Sequence, residues 1–185
     1  MLLISNYTVS LLEVPNELSL CLNISECPCK CKGCSEPYLQ ESIGTPLTID
    51  FLDSLLSKYK KYNLSCICFM GGDKDHKYLF NLLQYIKSKN LKTAFYSGFD
   101  FLDMHLIEYL DYYKIGRFIL PEGDVNDWHK KSCGPINFPW SNQKLFKVIH
   151  IDDTYNLLDI TDEFRKDPLG DLNRYVLKNN MEENE

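Results

Sequence analysis

Glu17 to Ile24 reads Glu-Leu-Ser-Leu-Cys-Leu-Asn-Ile, an alternation of apolar and polar positions that predicts a strand. Leu52, Leu55, Leu56 and Tyr59 recur at helical spacing and predict an amphipathic helix over residues 49–62. Ser65 to Met70 is a short apolar run, the mark of a buried strand, and it stops at Gly71-Gly72-Asp73. Leu79, Leu82, Leu83 and Ile86 predict a second helix, and residues 91–96 a strand ending at Ser97-Gly98. Leu102, Leu106 and Leu110 suggest a third helix, with a fourth strand over 115–120. A long polar loop over 121–143 precedes a fifth strand at 145–151, and the acidic tail from about residue 180 is expected to fray.

Strands separated by helices are the pattern of β-α-β units and a parallel sheet. A closed eight-stranded barrel takes about 250 residues, and this chain has 185. The expected fold is therefore α/β, a partial (β/α) barrel of about five or six mostly parallel strands, in a single domain over residues 1–185.

Composition narrows the function. A net charge of -6 argues against nucleic acid as a partner, because neutralising phosphates takes clustered Lys and Arg. Lys58 to Lys61 is the densest basic stretch, and it is short and on a predicted helix. The N-terminal apolar run is too short for a signal peptide, and no segment reaches the roughly 18 apolar residues of a membrane span. A cytoplasmic protein with no membrane partner is expected. In that setting eight cysteines point to metal or redox chemistry rather than a disulfide framework.

Residues 27–34 read Cys-Pro-Cys-Lys-Cys-Lys-Gly-Cys. The spacing Cys27-x3-Cys31-x2-Cys34 lets one short loop wrap three thiolates around a cubane, since Cys thiolate is the usual iron–sulfur ligand. Three ligands for four irons leave one iron open, the property of a catalytic centre. Gly33 allows a tight turn beside the third ligand. A zinc knot drawing on Cys21, Cys27, Cys29, Cys31 and Cys34 is the competing reading, although four ligands between 27 and 34 are crowded for tetrahedral zinc and no second pair follows. Cys66 and Cys68, on a predicted strand, read as buried small hydrophobes. Spacing alone leaves both metals open.

The Cys-x3-Cys-x2-Cys loop after a first strand resembles the radical S-adenosylmethionine superfamily, and Gly71-Gly72-Asp73 is similar to the Gly-Gly-Glu-like segment ending that superfamily's second strand. Within it, the chain looks like the activating proteins of anaerobic ribonucleoside-triphosphate reductases. The matching stretches are residues 27–34 with Gly before the third cysteine, Pro37-Tyr38-Leu39, Phe69-Met70-Gly71-Gly72-Asp73, Phe95-Tyr96-Ser97-Gly98 and Ser141-Asn142-Gln143. The chain departs from the group at Val14-Pro15-Asn16-Glu17, where larger members carry Gly-Pro-Gly-x-Arg, and at Ser35, where many have His.

The resemblance implies a partial barrel of radical S-adenosylmethionine type and a [4Fe-4S] cluster on Cys27, Cys31 and Cys34. It implies S-adenosylmethionine as the second cofactor, cleaved to a 5′-deoxyadenosyl radical that makes a glycyl radical on the large reductase subunit. A one-electron donor such as a flavodoxin would reduce the cluster. Gly71, Gly72, Asp73, Ser97, Asn142 and Gln143 are the expected cofactor-binding residues; no catalytic residue is expected beyond the cluster. Two other readings stay open: a radical enzyme acting on a different glycyl-radical enzyme or a small molecule, and a zinc-stabilised binding module. The four histidines show no metal-type pairing, no activated-serine motif accompanies Asp124, Asp127 and His129, and Phe138 and Trp140 are a candidate docking surface for a partner.

Overall fold

A computed structural model describes residues 1–118, 142–152 and 154–164. The expectations placed on Asp124, Asp127, His129, Phe138, Trp140, Ser141 and the acidic tail lie outside these residues. Among the described residues eight strands form one sheet: β1 (Leu3–Ser10), β2 (Ser19–Ile24), β3 (Thr45–Pro46), β4 (Cys66–Met70), β5 (Lys92–Tyr96), β6 (Tyr112–Ile115), β7 (Lys144–Ile151) and β8 (Thr154–Asp159). Their order is β3-β1-β2-β4-β5-β6-β7-β8. β2, β4, β5 and β6 are parallel, and the pairs β1–β2, β1–β3, β6–β7 and β7–β8 are antiparallel.

Helices α1 (Ile49–Tyr59), α2 (His76–Ser88) and α3 (Met104–Ile107) fall between the parallel strands, and α4 (Thr161–Phe164) follows β8. Thr48 caps α1 by accepting from the Phe51 amide at 3.1 Å, and Asp75 caps α2 by accepting from Tyr78 at 3.0 Å. Each cap satisfies an amide the first helical turn leaves unpaired.

The parallel strands are buried on both faces, most plainly β4, whose Cys-Ile-Cys-Phe-Met is apolar throughout. Leu20, Leu22, Ile24, Ile67, Phe69, Phe95 and Tyr113 share one core with Leu52, Leu55, Leu79, Leu82, Leu83 and Ile86 of the helices. The alternate positions Cys21, Cys66, Cys68, Ala94, Tyr96 and Tyr112 form a second cluster with Val14, Leu145 and Ile160. Cys66 and Cys68 are fully buried there, and burial pushes both thiols up in pKa, so they stay neutral. No helix of the described residues is long and apolar enough to cross a membrane.

Two expected elements move. The third helix is one turn, Met104–Ile107, because Asp103 caps it and the chain turns into Asp111, whose carboxylate accepts from the Thr93 amide at 2.8 Å. That bond starts the fourth parallel strand at Tyr112 rather than Ile115. The strand stops at Gly116, whose φ of 110° does not fit an extended ladder. β1, β3 and β8 were not signalled by periodicity. They lie toward the two edges of the sheet, where mixed patterns such as Thr-Tyr-Asn-Leu-Leu-Asp suffice.

Candidate iron–sulfur site

The four parallel strands all end on one rim, as strands of an open α/β sheet do around a ligand crevice. β2 runs into the cysteine loop, β4 into Gly71-Gly72-Asp73, β5 into Ser97-Gly98 and β6 into Gly116. The loop is closed at its base by the Glu26 amide donating to Glu41 O at 3.1 Å and the Cys27 amide donating to Leu39 O at 2.9 Å. Inside it, Lys30 (φ 46°) and Gly33 (φ 74°) reverse the chain, so that all four thiols of Cys27, Cys29, Cys31 and Cys34 reach one cavity of about 180 Å³. Lys74 pairs with Glu26 at 2.5 Å, tying the Gly-Gly-Asp turn to the start of the cysteine loop.

The four thiols are free and half-buried. The Cys29 thiol hydrogen-bonds to the Cys27 sulfur and, against burial, brings the Cys27 pKa down to about 6, a thiolate at neutral pH. The same bond raises the pKa of Cys29. Burial raises Cys31, opposed by a hydrogen bond with the Phe118 backbone. Among the described residues no three His, Cys, Asp or Glu side chains gather as one metal ion would need. A cubane offers each thiolate a different iron, so its ligands surround a larger body instead of converging on a point. Half-buried thiols on one loop, none in a disulfide and one of them already acidic, fit that donor set.

Of the expected ligand contacts, Gly71, Asp73, Ser97 and Gln143 line the thiol cavity. A β-carbon on Gly71 would stand 3.0 Å from Ile24 O, and its φ of 95° also calls for glycine. Gly72 does not line the cavity: its φ of 124° calls for glycine, and a β-carbon there would point toward Leu2, Leu79 and Phe95 at ordinary contact distance. Asn142 is exposed and outside the cavity, whereas Gln143 is buried and donates from Nε2 to Gly116 O at 3.2 Å. A larger cavity of about 590 Å³, against Phe80, Met104, His105 and His150, holds none of the thiols or strand-end glycines.

Asp73 is the organiser of the rim. Its Oδ1 accepts from Ser97 Oγ at 2.5 Å and its Oδ2 from the Gly98 amide at 2.9 Å, with the side chain only 1% exposed. His76 lies 3.5 Å from Asp73 Oδ1 through Nε2 and 2.6 Å from Asp103 Oδ2 through Nδ1. The Asp73 carboxylate, with Asp103 behind it, raises the His76 pKa above its ordinary 6.5 against the opposing effect of burial. The charged imidazolium is thus favoured by folding. Its contribution to stability is fully present below about pH 6.5 and is lost as pH rises through the raised folded-state value. Urea midpoints measured across that range are expected to fall with rising pH, and His76→Asn is expected to flatten the slope; an unchanged slope in the variant would refute the assignment.

Two residues, Tyr96 and Lys114, were not assigned to the site from the sequence, and Cys29 was weighed there only as a zinc ligand. Cys29 joins the other thiols in the cavity, and Tyr96 and Lys114 line it too. Lys114 is 9% exposed, and its Nζ stands 4.6 Å from the Tyr96 ring centroid. Burial lowers its pKa, and the charge of Glu13 opposes that shift. The available signal was a lysine inside the apolar run Tyr112-Tyr113-Lys114-Ile115.

A sequence model described as a 4Fe-4S single cluster domain matches residues 18–132, a span containing the cysteine loop, both strand-end turns and Lys114. No curated protein and no solved structure matches the chain. The match covers more than half of the 185 residues and agrees with the thiol geometry, and the chain belongs to the 4Fe-4S single cluster domain family.

Proposed function

We propose that this iron–sulfur protein is a radical S-adenosylmethionine activase that installs a glycyl radical on an anaerobic ribonucleotide reductase. The observation carrying this reading is that the cysteine loop, Gly71, Asp73, Ser97 and Lys114 line one cavity at the ends of parallel strands. The mixed sheet is read as the partial barrel of that enzyme class. Cys27, Cys31 and Cys34 would hold a [4Fe-4S] cluster with one iron free for the amino and carboxylate groups of S-adenosylmethionine. When bound, the reduced cluster would supply the one electron needed to cleave S-adenosylmethionine to methionine and the 5′-deoxyadenosyl radical that the glycyl-radical reaction requires.

The chain's own residues position and shield. Gly71 lets backbone approach the ligand, and carbonyls at the strand ends accept from polar groups of the methionine moiety. Lys114, buried beside Tyr96, offers a cation to the carboxylate in a water-poor wall, where a charge-assisted hydrogen bond is strongest. Asp73 holds Ser97 and Gly98 in place and has little accessible surface for a ligand of its own.

Lys114→Met is expected to weaken S-adenosylmethionine binding roughly tenfold or more, the value of about 1.5–3 kcal/mol for a hydrogen bond to a charged group. Equilibrium binding to the reconstituted protein measures this, and an unchanged Kd would remove Lys114 from the ligand site. The function itself is tested by incubating the reduced, reconstituted protein with S-adenosylmethionine and the large reductase subunit, with a flavodoxin-class donor as electron source. A glycyl-radical signal in electron paramagnetic resonance is the expected result. Its absence with a competent cluster, or stoichiometric zinc in place of iron and sulfide, overturns the reading.

A further inference from the structure

Cys29 lies between the first two ligands of the Cys27-Cys31-Cys34 set, yet it is not a bystander. It lines the same cavity, is half-buried and hydrogen-bonds to the Cys27 sulfur. Its direction is set by Gly98: a β-carbon built there would stand 2.5 Å from Cys29 Sγ, 3.2 Å from Cys29 Cβ and 3.7 Å from Asp73 Oδ2. The sulfur therefore rests on the Gly98 backbone, at the rim formed by the ends of β4 and β5. Cys31 faces another wall, where its thiol meets the Phe118 backbone. Gly98 is absent from the residues at positive φ, so its backbone conformation does not demand glycine. The space taken by Cys29 does.

A fourth thiol in the pocket, leaning toward the strand ends where the cofactor's methionine moiety is placed, has one evident use. We propose that Cys29 is a displaceable fourth ligand, capping the iron that Cys27, Cys31 and Cys34 leave free until S-adenosylmethionine arrives. This rests on the cluster reading above and adds a resting state to it. The exchange balances without moving an electron. The iron–sulfur bond to Cys29 breaks, iron–nitrogen and iron–oxygen bonds form to the amino and carboxylate groups, and the proton leaving the ammonium goes to the released thiolate. The Lys30 reversal beside Cys29 and the absence of a side chain on Gly98 leave the thiol room to swing in and out.

The test uses anaerobically reconstituted full chain without S-adenosylmethionine, oxidised with one equivalent of ferricyanide. An uncapped corner iron is lost and leaves a three-iron cluster with its own paramagnetic signal. Wild type is expected to keep four irons. Cys29→Ala is expected to assemble the cluster but drop to three on oxidation, with S-adenosylmethionine protecting it. Gly98→Ala is expected to behave like Cys29→Ala, because the new methyl displaces the sulfur while leaving the thiol in the chain. Cys29→Ala is also expected to bind S-adenosylmethionine several-fold more tightly, since the ligand no longer competes with an internal cap. Equal iron loss from wild type and Cys29→Ala overturns the cap while leaving the activase reading intact. Wild type that assembles no cluster, or a Cys31→Ala variant that keeps a competent one, overturns the ligand assignment and the cap together.

Discussion

Cys31→Ala is expected to abolish S-adenosylmethionine cleavage and to strip the purified protein of most of its iron and sulfide. Changing groups that merely orient a metal ligand costs about 10–100-fold, so loss of a ligand itself is expected to exceed the upper end of that range. Cys31 is half-buried, and its removal deletes little core, so the protein should remain folded while the cluster fails. Cys29 is a poor substitute because it faces the Gly98 side of the cavity and Cys31 the Phe118 side. Cys68→Ala is the control: Cys68 is fully buried in the second apolar cluster, and the variant should lose some stability but keep the cluster. Iron and sulfide analysis, visible absorbance and cleavage assays read both variants. Cleavage surviving in Cys31→Ala would mean that a different set of sulfurs holds the iron.

Asp73→Ala is expected to produce the largest loss of stability among the site residues. The carboxylate accepts from Ser97 Oγ and the Gly98 amide and faces His76 Nε2 at 3.5 Å, with almost no exposure. Alanine would leave a hydroxyl and an amide without their acceptor and the His76 imidazole with Asp103 as its remaining carboxylate partner. Removing one partner of a buried charged network costs about 3–5 kcal/mol, and in a chain of this size each kcal/mol lowers Tm by about 2–4 °C. A fall of roughly 10 °C follows. Asp73→Asn is expected to recover only part of it, because one amide oxygen cannot serve both donors while its NH2 group faces one of them. The Ser97-Gly98 turn should shift as well, weakening S-adenosylmethionine binding even where the variant is folded. A thermal melt within about 1 °C of wild type would show that Asp73 does not organise the rim.

The cysteine loop and the strand-end turns were legible because their information is local. Thiols two to four residues apart must share a loop whatever surrounds them, and an apolar run ending in Gly-Gly-Asp marks a strand end without knowledge of its neighbours. The amphipathic helices were legible for the same reason: Leu79, Leu82, Leu83 and Ile86 select one face by spacing alone, and all four are buried. Local reading does not reach what depends on the residues that stand opposite. Gly72 resembles a ligand-approach glycine in sequence, but the side of it where a β-carbon would stand faces Leu2, Leu79 and Phe95. Asn142 and Gln143 are neighbours with opposite fates, one exposed and one lining the cavity. The fourth parallel strand was misplaced because Asp111, bound to Thr93, decides where it begins.

From composition and spacing alone came the metal-binding loop and the alternation of helix and strand. Tertiary structure alone decided that β2, β4, β5 and β6 stand side by side and parallel, which puts their four C-terminal ends on one rim. Only that adjacency joins Asp73 to Ser97 and Gly98 across 24 or more residues, brings Lys114 over Tyr96, and lays Cys29 on a glycine far along the chain. The physical reason is that thiol spacing and amphipathic period act within a few residues, whereas burial and ion pairing depend on which segments the sheet makes neighbours.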